Sequence, residues 1–82
     1  MKYLKLAAGA LNQTPIDFRH NVANIISAIE EAQKQDISIL CLPELCISGY
    51  GSEDAFFYPW VWRKSLEGLE QILPYTSGMT VT

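Results

Sequence analysis

The chain has 82 residues, of which 49% are hydrophobic and 18% are charged. This composition is typical of a folded segment and excludes an intrinsically disordered chain. Six basic and nine acidic residues give a net charge of −3, and without a basic cluster the chain is not expected to bind nucleic acid. Its longest apolar run falls far short of the ~20 residues of a transmembrane helix, so no membrane partner is expected.

The N-terminal residues and the two cysteines both indicate the cellular compartment of the protein. The first apolar run contains Lys5 and ends at Asn12, which is a poor hydrophobic core for a signal peptide. The only two cysteines, Cys41 and Cys46, have no partner His or second Cys pair at a zinc-binding spacing. We therefore expect a cytoplasmic protein with reduced thiols and no metal site, with Cys41 as a small core residue.

The first predicted elements are a strand and a helix. Residues 4–11 (LKLAAGAL) form an apolar stretch of small side chains that predicts a strand. Thr14 could open a capping box with Asp17, or Asp17 could itself be the N-cap of a helix that begins later. Residues 18–35 predict an amphipathic helix. Its apolar positions are Val22, Ile25, Ile26, Ile29 and Ala32. Polar residues expected to face water are Asn21, Asn24, Glu30, Glu31 and Lys34.

The second half of the chain repeats the order of strand and helix. Residues 37–42 lack alternation and predict a buried strand, so residues 4–42 form a βαβ unit with parallel strands. Pro59 favours the start of a second helix and Pro74 its end. The expected buried stripe of this helix is Trp62, Leu66, Leu69 and Leu73, with Val61 and Ile72 beside it. Trp60 and Trp62 are expected in the core or in contacts between subunits.

Residues 79–82 begin a third strand, which completes a βαβαβ pattern. Two helices cannot cover both faces of a three-stranded parallel sheet, so we expect residues 1–82 to be one part of a larger domain. Uncovered strand edges and helix stripes favour self-association, and a homo-oligomer is therefore expected.

The stretch after the second strand carries the chemistry. The strand stops at Pro43 and is followed by one acid, Glu44, and by a glycine turn at Gly49. A carboxylate at the carboxyl end of a buried strand is where α/β proteins place active sites. A solvated loop acid or a helix cap is the alternative for an isolated Pro-Glu pair, so the surrounding motif decides the interpretation.

Residues 42–45 (LPEL), together with Gly49 and Tyr50, resemble the first catalytic motif of the nitrilase, or carbon–nitrogen hydrolase, superfamily. That motif is Pro-Glu after an apolar strand, with Gly-Tyr a few residues on. The longer stretch of residues 43–54 (PELCISGYGSED) resembles the glutaminase domain of the glutamine-dependent NAD synthetases, as do residues 10–14 (ALNQT) and residues 59–61 (PWV). The resemblance covers all 82 residues but only the N-terminal part of such a glutaminase domain, and none of the synthetase domain.

The resemblance implies an α/β fold in which this chain is the N-terminal βαβαβ piece of a four-layer αββα sandwich. It also implies a Glu-Lys-Cys triad for glutamine hydrolysis, with Glu44 as the general base. The Lys and the Cys would lie beyond this chain, and neither Cys41 nor Cys46 occupies the nucleophile's motif. With one residue of the triad, residues 1–82 alone are expected to be inactive.

The same resemblance assigns cofactors and partners. Ammonia from glutamine would pass to a synthetase domain that uses ATP and Mg²⁺ to aminate nicotinic acid adenine dinucleotide, whereas this segment itself is expected to bind no cofactor. Tyr50 would line the glutamine pocket, or would instead pack beneath the loop.

Glu53 and Asp54 are expected to order the loop before the second helix, and His20 to lie on a helix surface.

Two other functions remain open from the sequence. Other nitrilase-type amidases and carbamoyl hydrolases share the Pro-Glu and Gly-Tyr pairs, although they usually lack the context of Cys46, Glu53 and Asp54. Alternatively, the chain is a non-catalytic fragment that only self-associates.

Overall fold

The computed structural model describes residues 4–49 and 58–82. Their elements confirm the predicted βαβαβ order, with strands shorter than expected. In chain order the elements are β1 (Leu6–Ala8), α1 (Phe18–Lys34), β2 (Ile39–Cys41), α2 (Pro59–Ile72), a 3₁₀ turn (Leu73–Thr76) and β3 (Thr80–Val81). The three strands form one parallel sheet in the order β1-β2-β3.

The register of the sheet places alternate residues on opposite faces. Ala7 pairs with Leu40, which pairs with Val81, and these three residues pack in or against the core beneath the helices. In the two adjacent rows Leu6 pairs with Ile39 and Ala8 pairs with Cys41, and both Leu6 and Cys41 are exposed. The described helices therefore cover one face of the sheet. The prediction that Cys41 is a core residue is wrong, because its side chain points to the other face.

Helix α1 begins at the later of the two predicted sites. Asp17 is its N-cap, and the Asp17 carboxylate accepts a hydrogen bond of 3.2 Å from the backbone N–H of His20. This bond satisfies one of the N–H groups left unpaired at a helix start. The helix ends at Lys34, and Asp36 follows with a left-handed φ of +56°.

The predicted apolar stripe of α1 forms the core. Its buried members are Val22, Ile25, Ile29 and Ala32, and they pack with Leu40 and Ile72. Burial of each large aliphatic side chain stabilises the fold by about 1.5–3 kcal/mol. One expected surface position is different: Asn21 is 0% exposed, so the prediction that it faces water is wrong. Asn24 is half-buried, whereas Glu30, Glu31 and Lys34 are exposed as predicted.

Helix α2 begins at Pro59 and ends before Pro74 as predicted, but it buries a different face. Its buried residues are Val61, Gly68 and Ile72. The predicted stripe lies outward, with Trp62 55% and Leu66 51% exposed. This prediction is wrong because Gly68, having no side chain, lets α2 approach α1 closely: a Cβ at Gly68 would lie 3.0 Å from the Val22 side chain.

The tryptophans are at the start of α2. Trp60 makes an edge-to-face contact with Phe18, with ring centroids 6.4 Å apart and ring planes at 71°. Trp60 and Trp62 are nonetheless about half exposed, so the described residues do not bury them in a core. Neither α1 nor α2 has the length and apolar character required to cross a lipid bilayer, and no other described helix does.

Candidate functional site

Glu44 lies where the middle strand ends. The sheet continues past β2 through main-chain bonds from Gly9 N–H to the Cys41 carbonyl (2.8 Å) and from Leu42 N–H to the Thr82 carbonyl (2.7 Å). Pro43 then ends the strand, and the exposed Glu44 begins a series of tight turns. The carboxylate is therefore at the carboxyl edge of a parallel sheet, which is the edge that α/β enzymes use for their sites.

The loop after Glu44 has a compact and unusual backbone. Leu45, the next residue, has a φ of +52°, and the N–H of Gly49 donates to the Leu45 carbonyl at 2.6 Å. A left-handed conformation at a leucine costs about 1–3 kcal/mol and persists only where the surroundings fix it. Such strained residues are concentrated at functional sites, and this one adjoins the candidate base.

A cavity of about 230 Å³ opens beside this loop. It lies between the segment after β1 and the segment after β2, and its lining is Leu11, Asn12, Gln13, Pro43, Glu44, Leu45 and Cys46. A larger depression of about 410 Å³ lies between the start of α1 and the middle and end of α2, where Arg19, Lys64 and Glu67 are on its wall. We place the candidate site at the smaller cavity, because it joins a carboxylate to strand ends and to side-chain amides.

Two side-chain amides bind the main chain of the loop. Asn21 donates from Nδ2 to the Ile47 carbonyl (2.9 Å), and Gln13 donates from Nε2 to the Cys46 carbonyl (2.7 Å). Gln13 Oε1 in turn accepts a bond of 2.8 Å from Asn24. Sequence reasoning missed these three residues as parts of the site, although Asn21 occupies the helical position that precedes Ile25, Ile29 and Ala32 on one face.

The segment before α1 closes over the end of the loop. The N–H of Ile16 donates to the Ser48 carbonyl at 2.7 Å. Gly49 has a φ of +85°, and a Cβ at this position would lie 2.6 Å from the Thr14 carbonyl oxygen. The close approach of two backbones thus requires glycine here, which gives a physical reason for the predicted glycine turn.

The two cysteines are both free thiols. Burial raises the pKa of the Cys46 thiol, and this effect exceeds the opposing effect of a backbone hydrogen bond. A raised pKa disfavours the thiolate that a nucleophilic cysteine needs. The environment of Cys46 is therefore not that of an activated nucleophile. Cys41 is exposed on the face of β2 opposite Leu40.

The remaining predicted residues have different outcomes. Tyr50, Glu53 and Asp54 lie outside the described residues, so their predicted roles stay predictions. His20 is exposed on α1 as predicted, with its Nδ1 3.7 Å from the Asp17 carboxylate. In the described ranges 4–49 and 58–82, no cluster of three His, Cys, Asp or Glu residues could hold a metal ion.

Comparison with known proteins identifies relatives over most of the chain. The sequence profile of the family described as carbon–nitrogen hydrolase matches residues 5–74. The chain is 45% identical over 73 residues to a glutamine-dependent NAD(+) synthetase of Arabidopsis thaliana, covering 89% of this chain and 10% of that protein. It is 30% identical over 82 residues to the enzyme of the same name from Thermotoga maritima, covering 100% of this chain and 14% of that protein.

The fold comparison agrees. The crystal structure of a glutamine-dependent NAD(+) synthetase from Cytophaga hutchinsonii superposes with a TM-score of 0.92 at 47% identity, covering 95% of this chain and 13% of that chain. The predicted α/β class, as a βαβαβ piece of a nitrilase-like fold, is thereby confirmed. The chain spans about a tenth of the length of the relatives it matches.

Proposed function

The chain belongs to the carbon–nitrogen hydrolase family, and from that premise we propose that it is the N-terminal part of the glutaminase domain of a glutamine-dependent NAD synthetase. The observation that carries the proposal is the position of Glu44. It follows the middle strand of a parallel sheet and lines a cavity whose lining also includes Gln13. The relatives' names supply the substrate, glutamine, and the product, NAD.

In the proposed reaction Glu44 is the general base of a Glu-Lys-Cys triad whose other members lie beyond this chain. Its carboxylate takes the proton of the cysteine thiol, and the thiolate attacks the amide carbon of glutamine. The lysine stabilises the tetrahedral oxyanion. Collapse of this intermediate breaks the C–N bond, and the proton held by Glu44 goes to the departing ammonia. Water then hydrolyses the thioester and releases glutamate.

The proposal divides the tasks between this segment and the rest of the polypeptide. Ammonia passes to a synthetase domain, where ATP and Mg²⁺ serve the amination of nicotinic acid adenine dinucleotide. In this division residues 1–82 contribute one carboxylate and its supporting loop, and ATP and Mg²⁺ act in the synthetase domain. Since they hold one member of the triad, the proposal assigns no glutaminase activity to these residues alone.

Glu44→Gln in the full-length enzyme tests the role of the carboxylate. A glutamine side chain has nearly the same shape but cannot act as a base, so we expect glutamine-dependent NAD synthesis to fall at least about 100-fold. Synthesis from free ammonia should be unchanged, because the amidation step does not need the base. The measurement is the rate of NAD formation with each nitrogen source.

Glu70→Gln is the matched control, because Glu70 is an exposed carboxylate on α2. It should alter neither rate. Glutamine-dependent activity that survives Glu44→Gln would refute the assigned role, as would equal loss with both nitrogen sources. If the full-length enzyme hydrolyses another amide or a carbamoyl compound in preference to glutamine, the alternative amidase function is correct instead.

A further inference from the structure

The loop that carries Glu44 is held from outside by side chains, not by its own bonds alone. The carbonyls of Cys46 and Ile47 are consecutive acceptors, and each receives a side-chain amide N–H from the segment that runs from β1 into α1. The third carbonyl in the row, that of Ser48, receives the backbone N–H of Ile16. Three successive carbonyls are thus anchored to one other segment of the chain.

Only an amide side chain can make the hydrogen bonds by which Asn21 anchors the loop. Asn21 is 0% exposed, its Oδ1 accepts from the Thr14 N–H at 2.9 Å, and its Nδ2 donates to the carbonyls of Thr14 (2.8 Å) and Ile47 (2.9 Å). An aspartate could accept but not donate, and an aliphatic residue could do neither. Asn21 therefore ties the start of α1 and the loop together at one buried point.

Gln13 is fixed in a single orientation by its neighbours. Its Nε2 donates both to the Cys46 carbonyl (2.7 Å) and to the Asn21 carbonyl (3.0 Å). Its Oε1 accepts from Nδ2 of Asn24 at 2.8 Å. Gln13 also lines the same cavity as Glu44, so it lies at the wall of the candidate site while it binds the loop behind the carboxylate.

The backbone at Leu45 shows why such anchoring matters. This residue follows Glu44 directly and has the left-handed φ of +52°. A released loop would relax toward ordinary φ values, and the direction of the preceding side chain would change with it. Displacement of a catalytic group by about 1 Å can cost about 100-fold in rate.

We propose that Gln13 and Asn21 are positioning residues that hold the carboxylate of Glu44 in its reactive orientation by binding the carbonyls of Cys46 and Ile47. This inference rests on the proposed function, because it gives the two amides a role in the proton transfers of Glu44. They act through the main chain of the loop and take no part in the chemistry themselves.

Gln13→Met in the full-length enzyme is the test. Methionine keeps the length of the side chain and removes both donated bonds as well as the bond accepted from Asn24. Position 13 is only half-buried, so the fold should tolerate the substitution. We expect kcat with glutamine to fall about 10- to 100-fold, with KM for glutamine within about threefold of the wild-type value. The rate with free ammonia should not change.

Gln33→Met is the matched control. Gln33 on α1 also donates an amide N–H to a distant carbonyl, that of Tyr75 at 2.7 Å, but it is exposed and far along the helix from the Glu44 loop. The Gln33→Met substitution removes the same type of bond and should leave kcat with glutamine within twofold of the wild type. Asn21→Asp extends the test and should lower the same kcat at least as much as Gln13→Met.

The outcomes are distinguishable. If Glu44→Gln removes glutamine-dependent activity but Gln13→Met keeps kcat within twofold, the positioning role is wrong and the function of Glu44 stands. Equal losses with glutamine and with ammonia after Gln13→Met would indicate a merely structural role and overturn the inference, as would an effect on KM alone. If Glu44→Gln leaves glutamine-dependent activity intact, the proposed function itself fails.

Discussion

Two glycines in left-handed turns show how differently the same backbone angle can be used. Gly49 ends the Glu44 loop with a φ of +85°, and Gly78 lies in the turn before β3 with a φ of +80°. A Cβ at Gly49 would meet the Thr14 carbonyl oxygen at 2.6 Å, whereas a Cβ at Gly78 would meet nothing within 4 Å. The angle is common to both turns, so the close approach of a second backbone is what distinguishes the site loop.

Gly49→Ala should give the largest change in stability. The left-handed conformation costs a non-glycine residue about 1–2 kcal/mol, and a methyl group forced into a packed site costs about 1–3 kcal/mol more. We expect the free energy of unfolding to fall by about 3 kcal/mol, measured by denaturant titration. A loss no greater than that of Gly78→Ala would show that the contact with Thr14 does not constrain the loop.

Asn21→Leu should have an intermediate effect. Leucine is close in size but leaves two main-chain groups without a partner, the Thr14 N–H and the Ile47 carbonyl. It also removes one of the two bonds to the Thr14 carbonyl, which still accepts from the Asp17 N–H. Buried polar groups without a partner cost about 1–3 kcal/mol, so we expect a loss of about 2 kcal/mol in the free energy of unfolding. The control is Asn24→Leu, at a half-buried position, which should cost less than half as much.

The double variant Asn21→Leu with Gly49→Ala sharpens the comparison. Without the amide that joins Thr14 to Ile47, the loop can move away from the new methyl group. The loss of stability in the double variant should therefore be smaller than the sum of the two single losses. Additivity within about 0.5 kcal/mol would mean that the two positions act independently.

Gly78→Ala should give the smallest change. Only the conformational cost applies, because the position is open, and we expect a loss of about 1 kcal/mol in the free energy of unfolding. Gly78→Asn should cost less still, since asparagine tolerates the left-handed region better than other side chains do. A loss above 2 kcal/mol for Gly78→Ala would remove the difference between the two turns.

The sequence predicted the site at the level of one residue and its motif. Pro43 stops an apolar run, and this local signal predicts that Glu44 follows a strand. The supporting amides were not predicted. Gln13 and Asn21 contact carbonyls more than twenty residues away, at Cys46 and Ile47, and local periodicity contains no information on such contacts.

The two helices show the same difference between what local sequence predicts and what contacts with distant residues decide. In α1 a single apolar stripe, Val22 to Ala32, left one face for the core, and the structure buries it. Only the burial of Asn21 was missed, although its position on that face was a signal. In α2 two faces compete, and the more hydrophobic one, with Trp62 and Leu66, lies outward in the described structure.

The sequence by itself determined the order of the elements, their approximate ends and the carboxylate at the end of β2, because periodicity, prolines and glycines act locally. The tertiary structure decided which face of α2 is buried, that Cys41 is exposed and that Asn21 is not. The physical reason is close packing: Gly68 leaves room for the side chains of Val22 and Ile47, each 3.0 Å from where its Cβ would be. Which face fits a neighbour depends on the shape of that neighbour, not on hydrophobicity alone.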